Sequence, residues 1–597
     1  MGLSLRETDT KNLPNRTEHL AINGEKYMRT LISILVANAL FMSSASLAAD
    51  TDSQKIADLK QQLASVTDDL DYLSSRVDKT ERHTALDRVA ITGDFRTKAH
   101  SLHYQNVTWN PAMNVNFSDF GAKAMSGVFG DPNSATSPLG QMMMANPDLA
   151  SAFQSGALNG VMPMLLGQKT QQDIDNDIFY TTRLRLNINA KVWDNVSFAG
   201  RLTMFKSWGD SSGVKVFDSW NSFTMDGTSS GSTSGDELKV ERAYFNWKDI
   251  NGSGTYLSIG RRPSTYGPPS HYRENELRGG TPSGHLVNFN FDGLTLGYNL
   301  GDITGIEGQV VRFCYGQGFE SQYGNGELFG DIITKDTHLG GFNIDVINDG
   351  NHFLQFTLFG AKDVNDGFTG TMAFPTQLAG IFAPTMYQDM QKFDNFNFVT
   401  RVQPSGVIGD IYLGGLGYAY ESDDDMKVFA SLGWTRAEPN GNAGLFGGML
   451  SDAVFEAELN STGTEIIMVP KETVDSDTKD GYGIYVGMQI PAPYGKFGLE
   501  YNYGSKYWSP FTQAQDDPIG SKLATRGHVA EAYYIFDINP KMFIKLAGLY
   551  YDYEYTGSGS PVGSPLKVDD VIAGNAYSML PVVDTAYDVN ASLTINF

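Results

Sequence analysis

Beyond Arg88, apolar and polar residues alternate with a period of two, the spacing of strands that have one apolar and one polar face. The longest run is Val583 to Phe597. Val583, Thr585, Tyr587, Val589, Ala591, Leu593, Ile595 and Phe597 share one face, and Asp584, Ala586, Asp588, Asn590, Ser592, Thr594 and Asn596 share the other. Earlier, Thr182, Leu184, Leu186 and Ile188 alternate with Arg183, Arg185, Asn187 and Asn189. Likewise Tyr482, Ile484, Val486, Met488 and Ile490 alternate with Gly483, Tyr485, Gly487 and Gln489. The pattern predicts about sixteen strands: 90–102, 178–190, 195–208, 237–248, 254–262, 285–300, 307–318, 338–349, 351–363, 409–421, 425–437, 480–491, 495–507, 525–537, 541–554 and 583–597. Residues 393–403 could be a further strand, giving eighteen with a partner, but they are placed within a loop.

The connections alternate in length. Asp194–Asn195, Asn251–Gly252, Asp302–Gly305, Asn348–Gly350, Asp423–Asp425, Pro491–Tyr494 and Asn539–Pro540 are turn-like and fall on one side. On the other side lie 103–177, 209–236, 263–284, 319–337, 364–408, 438–479, 508–524 and 555–582. A sandwich spaces its turns evenly, whereas strict short–long alternation belongs to a membrane barrel with an even strand count. The expected fold is therefore all-β: a transmembrane antiparallel β-barrel over 89–597, preceded by an N-terminal coiled-coil helix. Trp193, Trp208, Trp247, Trp434, Trp508 and Tyr550 lie near strand ends, where aromatic residues form interface girdles. The final strand, with Tyr587, Leu593, Ile595 and the terminal Phe597, resembles the closing strand and assembly signal of Gram-negative outer-membrane porins. That resemblance implies outer-membrane lipid and the barrel assembly machinery as partners.

Residues 1–27 are polar and unpatterned. From Met28, Arg29, an apolar run from Leu31 to Met42 and the small residues Ser46, Ala48 and Ala49 make 28–49 a secretory signal peptide. Translation is expected to begin at Met28, leaving 1–27 as a non-translated or disordered extension. Over 50–88 the period changes to heptads: Ile56, Leu59, Leu63, Val66, Leu70, Leu73, Val77 and Thr80 form an a/d seam. So short a helix needs partners. Several porin families carry such a periplasmic coiled coil before a trimeric barrel, and that resemblance implies a homotrimer. A lone helix against the barrel or cell wall is the alternative.

Composition narrows the choice further. Only 19% of residues are charged, and 64 Gly, 29 Tyr and 35 Phe are unlike a soluble helical enzyme. Outside 28–49 no uncharged apolar run is long enough for a membrane helix, so a membrane must be crossed by strands. A net charge of -24 argues against a nucleic-acid partner. Cys314 is the only cysteine, which excludes a disulfide, a cysteine zinc site and c-type haem attachment.

Candidate chemistry concentrates on the early strands. Arg183, Arg185, Arg201, Arg242 and Arg262 lie in the lumen-facing phase, and the third long loop supplies Glu274 and Glu276. In trimeric general porins the third loop folds into the barrel and sets acidic side chains opposite a basic wall. The resemblance implies that these seven residues form a pore constriction that filters ions by charge. The alternative is that the arginines only neutralise one another and fill the lumen. Val240 to Gly293, with Arg242, Gly260, Arg261, Pro263, Gly267, Arg273, Asp292 and Gly293, also resembles a large, mostly uncharacterised family of Gram-negative barrel proteins.

Met113, Met125, Met142, Met143, Met144, Met162 and Met164 could bind soft copper, but long apolar loops more often pack into a barrel mouth. Asp173, Asp175 and Asp177, and Asp475, Asp477 and Asp480, lack the glycine and terminal Glu of a calcium loop. No metal or cofactor is expected, and no enzyme motif is present. The expected function is an outer-membrane porin passing small hydrophilic solutes or ions. The alternative is a barrel scaffold or surface receptor, such as a sheath for a redox partner, with a loop-plugged lumen. N-terminal sequencing of the exported protein should begin close to Asp50, and a start well upstream would overturn the signal peptide.

Overall fold

The computed structural model describes residues 89–597 apart from 146, 156–159, 209–222, 225–237, 291, 319–335, 367, 376–385, 388–390, 394–395, 403–405, 444–446, 461, 464–465, 472–474 and 513–516, together with Gln62, Leu63 and Val66. The chain divides into two units, Met1–Asp87 and Arg88–Phe597. The extension 1–27, the signal peptide 28–49 and the coiled coil 50–88 lie outside the described residues, except that Gln62, Leu63 and Val66 are helical.

The second unit is a closed antiparallel barrel of sixteen strands. In chain order they are β1 (Val89–Trp109), β2 (Thr170–Lys191), β3 (Val196–Trp208), β4 (Lys239–Trp247), β5 (Thr255–Arg261), β6 (Asp292–Asn299), β7 (Val310–Gly318) and β8 (Thr337–Asn348). Then follow β9 (His352–Asn365), β10 (Val407–Glu421), β11 (Lys427–Pro439), β12 (Lys479–Ala492), β13 (Gly495–Gly504), β14 (Gly527–Asn539), β15 (Met542–Tyr553) and β16 (Thr585–Asn596). Each pairs with its neighbour in sequence, and β16 pairs with β1, so no strand edge is left unpaired. At the seam, Gly93 N–H donates to the Phe597 carbonyl at 2.8 Å and Phe597 N–H donates back at 2.9 Å. A Cβ on Gly93 would lie 2.7 Å from the Phe597 ring, so only glycine lets that ring lie across β1.

The alternation reads out as an inside-out protein. On β16, Val589 and Leu593 are exposed on the outer surface, whereas Asp588, Asn590, Ser592 and Thr594 are buried inside. Tyr482, Ile484 and Met488 likewise face outward on β12. Every predicted strand has its counterpart. Gln391–Phe393 and Phe396–Val402 belong to a separate small sheet with Phe368–Pro375, so the wall has sixteen strands and not eighteen.

Three boundaries or placements differ from expectation. β1 and β2 run far past the predicted 102 and 178, their ladder continuing to the Trp109–Thr170 pair through two register shifts. The predicted strand 285–300 enters the wall only at Asp292. Its first residues remain in the third loop, where Val287–Asn288 pairs in parallel with Phe511–Thr512 of the seventh loop. Trp508 does not join an interface girdle, although Trp193, Trp208, Trp247 and Tyr550 do lie exposed on the outside. It is fully buried, and its Nε1–H donates to the Leu523 carbonyl at 2.8 Å. A Cβ on Gly433 or Gly483 would come within 2.3 or 2.6 Å of its indole, so two wall glycines make the recess it fills.

The long-loop end of the lumen holds an apolar core assembled from separate loops. Phe117, Phe120 and Phe129 of the first loop meet Leu286 and Phe289 of the third, Met449 and Phe455 of the sixth, and Trp508 and Phe511 of the seventh, against Phe359 and Leu413 of the wall. Truncating a buried tryptophan costs about 3–5 kcal/mol. Trp508→Ala should therefore loosen the loops without opening the barrel: hydrogen exchange should accelerate in 505–512, 517–526 and 285–289, and stay unchanged in β11–β13.

Candidate functional site

The third loop, 262–291, leaves the wall between β5 and β6 and crosses the lumen. In a ring of sixteen strands the position diametrically opposite is β13–β14, and the loop reaches it. The turn Tyr272–Glu274, followed by Asn275 in the left-handed region at φ 54°, sends consecutive charged side chains in different directions. Arg273 points to the far wall. Its Nη1 and Nη2 meet both carboxylate oxygens of Asp517 at 2.8 and 3.2 Å, and its Nε lies 2.9 Å from Glu531 on β14. Glu531 is shared with Lys522 at 2.6 Å and Lys545 at 3.0 Å, and Lys545 also donates to the Arg273 carbonyl at 2.9 Å.

Glu274 and Glu276 turn to β1 and β2. Cross-strand pairing sets Arg96 directly opposite Arg183, and Asp94 opposite Arg185. Two guanidinium groups facing each other repel. Glu274 relieves this, 2.8 Å from Arg96 Nη1 and 3.9 Å from Arg183 Nη1. Glu276 accepts from Arg183 Nη2 at 3.0 Å and from Arg185, while Asp94 takes Arg183 at 2.9 Å and Arg185 at 2.7 Å. Arg183 and Arg273 are each only 2% exposed, so these pairs sit away from bulk water. Burial alone would raise the Glu274 carboxyl, but Arg96, Arg273, Lys545 and Lys98 outweigh it and hold it well below the usual glutamate range. Glu276 is lowered in the same way, with Arg185 and Arg183 overcoming burial.

The remaining predicted residues fall into separate groups. Arg201 and Arg242 flank the buried Glu241 at 3.2 and 3.5 Å, and Arg242 also reaches Thr265 of the loop at 3.1 Å. Arg262 meets neither Glu274 nor Glu276. Its Nε donates to Ser258 at 2.9 Å and its Nη1 to Thr295. It lines a cavity of about 550 Å³ beneath the loop, toward the short-turn end. The structure thus brings Arg183, Arg185, Glu274 and Glu276 into one cluster and leaves Arg201, Arg242 and Arg262 on the neighbouring arc.

Sequence reasoning missed Asp94, Arg96, Glu241, Arg273, Asp517, Glu531 and Lys545. For Asp94, Arg96, Glu531 and Lys545 the signal was available, since each is a charge in the inward phase of a strand. The methionines of the first loop diverge: Met113 and Met143 enter the apolar core, while Met125 and Met144 are exposed. Asp175 pairs with His103 at 2.6 Å, and Asp475 with Lys479 at 2.6 Å. Among the described residues no group of three or more His, Cys, Asp or Glu side chains could hold a metal.

Two histidines of the loop are buried neutral. Burial, with Arg278 and Lys427 beside it, pushes His271 down to about 3, and burial alone pushes His285 down to about 3. A depressed folded-state value means that the undocked loop binds more protons. Docking stability is therefore complete above the ordinary histidine value of 6.5 and declines as pH falls toward 3, by up to about 1.4 kcal/mol per pH unit per histidine. Glu274 and Glu276 act in the same direction below the ordinary 4.5. Tryptophan emission, which reports Trp508 with its ring centroid 5.1 Å from that of His285, should be constant above pH 7 and begin to shift below 6.5. In His271→Gln/His285→Gln the onset should move toward 4.5. Identical titrations would refute the histidine contribution.

Among solved structures, the chain is similar to OprB of Pseudomonas putida in its high-pH structure, with 9% identity over 87% of this chain and 96% of that one and a TM-score of 0.37. It is similar to OmpT, an outer membrane protein of Vibrio cholerae, in its trimer form, with 10% identity over 85% and 99% and a TM-score of 0.36. An anion-selective porin from Comamonas acidovorans gives 9% identity over 85% and 99%, with a TM-score of 0.37. No curated protein matches the chain. The family DUF3373, described as a protein of unknown function, matches residues 173–597, and the chain belongs to that family.

Proposed function

We propose that this protein is an outer-membrane porin of a Gram-negative bacterium, a channel for passive diffusion of small hydrophilic solutes or ions. Of the predicted residues, Arg183, Arg185, Glu274 and Glu276 form its constriction, with Arg201 and Arg242 on the adjoining arc and Arg262 beneath the loop. The observation that carries this reading is the third loop crossing a charged lumen and meeting both walls through ion pairs. Sixteen strands enclose enough space for an aqueous path. Apolar packing usually fills an interior at least as well as buried ion pairs, so a barrel that needed only to be plugged has no use for this many. The same proposal includes export by the signal peptide, assembly through the C-terminal strand and association as a homotrimer. On the outer face beside the β1–β16 seam, Ala99, Ala532, Gly548 and Ala591 border an apolar hollow of about 600 Å³, and such small residues let a second barrel approach closely. The proposed protein is a channel and not an enzyme, and it needs no cofactor.

The second reading, a scaffold or surface receptor, is favoured by the apolar core that closes the long-loop end. Planar-bilayer recording separates the two. Wild type should give small conductance steps, because the loop is docked. Glu274→Ala/Glu276→Ala removes the carboxylates that hold the loop to Arg96, Arg183 and Arg185, so its steps should be larger and its reversal potential in a salt gradient should move toward anion preference. Silent bilayers from both proteins, each folded by heat-modifiable migration, would reject the channel and favour the scaffold.

A further inference from the structure

Arg262 is buried at 5% exposure, yet among the described residues it differs from its neighbours in having no carboxylate partner. Arg183 and Arg185 have Asp94 and Glu276, Arg201 and Arg242 have Glu241, and Arg312 has Asp345 at 2.7 Å. Its Nε and Nη1 are held by the hydroxyls of Ser258 and Thr295. Thr295 in turn donates to Cys314 Sγ at 3.2 Å, which fixes the hydroxyl that orients the guanidinium. Nη2 has no protein partner among the described residues, and the side chain lines the 550 Å³ cavity. A buried cation without a counter-charge is costly, and an anion arriving from solution would remove that cost.

The cavity is suited to such a guest. Tyr244 and Tyr256 contribute aromatic surface, Asn246 and Asn299 contribute amides, and Lys248 adds a second cation near the turn that carries Gly252. Asp249 also borders the cavity, but it is exposed and its Oδ1 accepts from the Gly254 N–H at 2.9 Å. The volume lies within the usual range for small-molecule sites.

We propose that Arg262 and this cavity bind a small organic carboxylate that enters from the short-turn end. The inference deepens the channel reading by naming a solute class, and it rests on that reading for the solute's passage.

The test is calorimetric titration of the detergent-solubilised full chain with succinate, referenced to sodium chloride at equal ionic strength. Wild type should bind saturably. Arg262→Gln should weaken binding about tenfold or more, as expected for losing a charged hydrogen bond, while Arg261→Gln, which alters an outward pair with Asp292, should leave it unchanged. Folding of each variant is checked by heat-modifiable migration. No saturable binding by folded wild type, or equal binding by Arg262→Gln, overturns the site. Binding of inorganic phosphate without succinate overturns the carboxylate assignment. The measurement needs no conductance, so a silent protein that binds succinate refutes the channel alone, and a conducting protein that does not bind refutes the site alone.

Discussion

Two facing guanidinium groups set the problem that the interior of this barrel solves. The pairing of β1 with β2 places Arg96 opposite Arg183 inside a closed wall, where neither can move away. Asp94 covers Arg183 and Arg185, but one carboxylate does not offset three guanidinium charges. The missing charge comes from elsewhere in the chain, as Glu274 at the tip of the third loop. One residue earlier, Arg273 meets the reverse problem on the far side, where the three carboxylates of Glu500, Asp517 and Glu531 outnumber Lys522 and Lys545. Wall and loop are thus electrically incomplete apart, and that incompleteness holds the loop across the lumen.

Around this crossbar the molecule separates into a wall and a filling with different physics. The wall is a ladder of backbone hydrogen bonds with its apolar face outward, and it closes on itself without help from the interior. The filling behaves like a soluble core turned inward. Phe117, Leu286, Met449, and Trp508 with Phe511 come from four different loops and gain burial only together. Gly433 and Gly483 show how the wall accommodates the filling, since an inward Cβ at either position would occupy the space of the Trp508 ring.

This division explains what was legible in the sequence. Strand count, order and facing follow from a period-two pattern that each strand carries locally, and the outward rows such as Tyr482, Ile484 and Met488 could be read residue by residue. Where a strand ends depends on more distant contacts. His285 to Phe289 alternates like wall but is claimed by the inner core, and Trp508 looks like a girdle residue yet faces a glycine recess from the inside. Arg183, Arg185, Glu274 and Glu276 were legible as inward charges and a charged loop. Their partners were less so, because Glu531 and Asp517 lie more than two hundred residues from Arg273 and nothing local marks the encounter.

In the proposed channel the neck would therefore take both its width and its sign from one loop. With the third loop docked, Glu274 and Glu276 complete the set around Arg96, Arg183, Arg185 and Asp94, so that three carboxylates offset three guanidinium groups in a narrow passage. With the loop displaced, the same stretch of wall presents three guanidinium groups against one carboxylate, and the passage widens as its positive field strengthens. Arg262 stands apart because its charge is not cancelled in either position. The wall beneath the loop keeps a fixed cation anchored, among the described residues, by two hydroxyls. In the proposed channel, a solute anion travelling from the short-turn end would meet that fixed charge first and the loop-controlled one second, so the two would differ in kind: one would hold an anion, and the other would decide whether it proceeds.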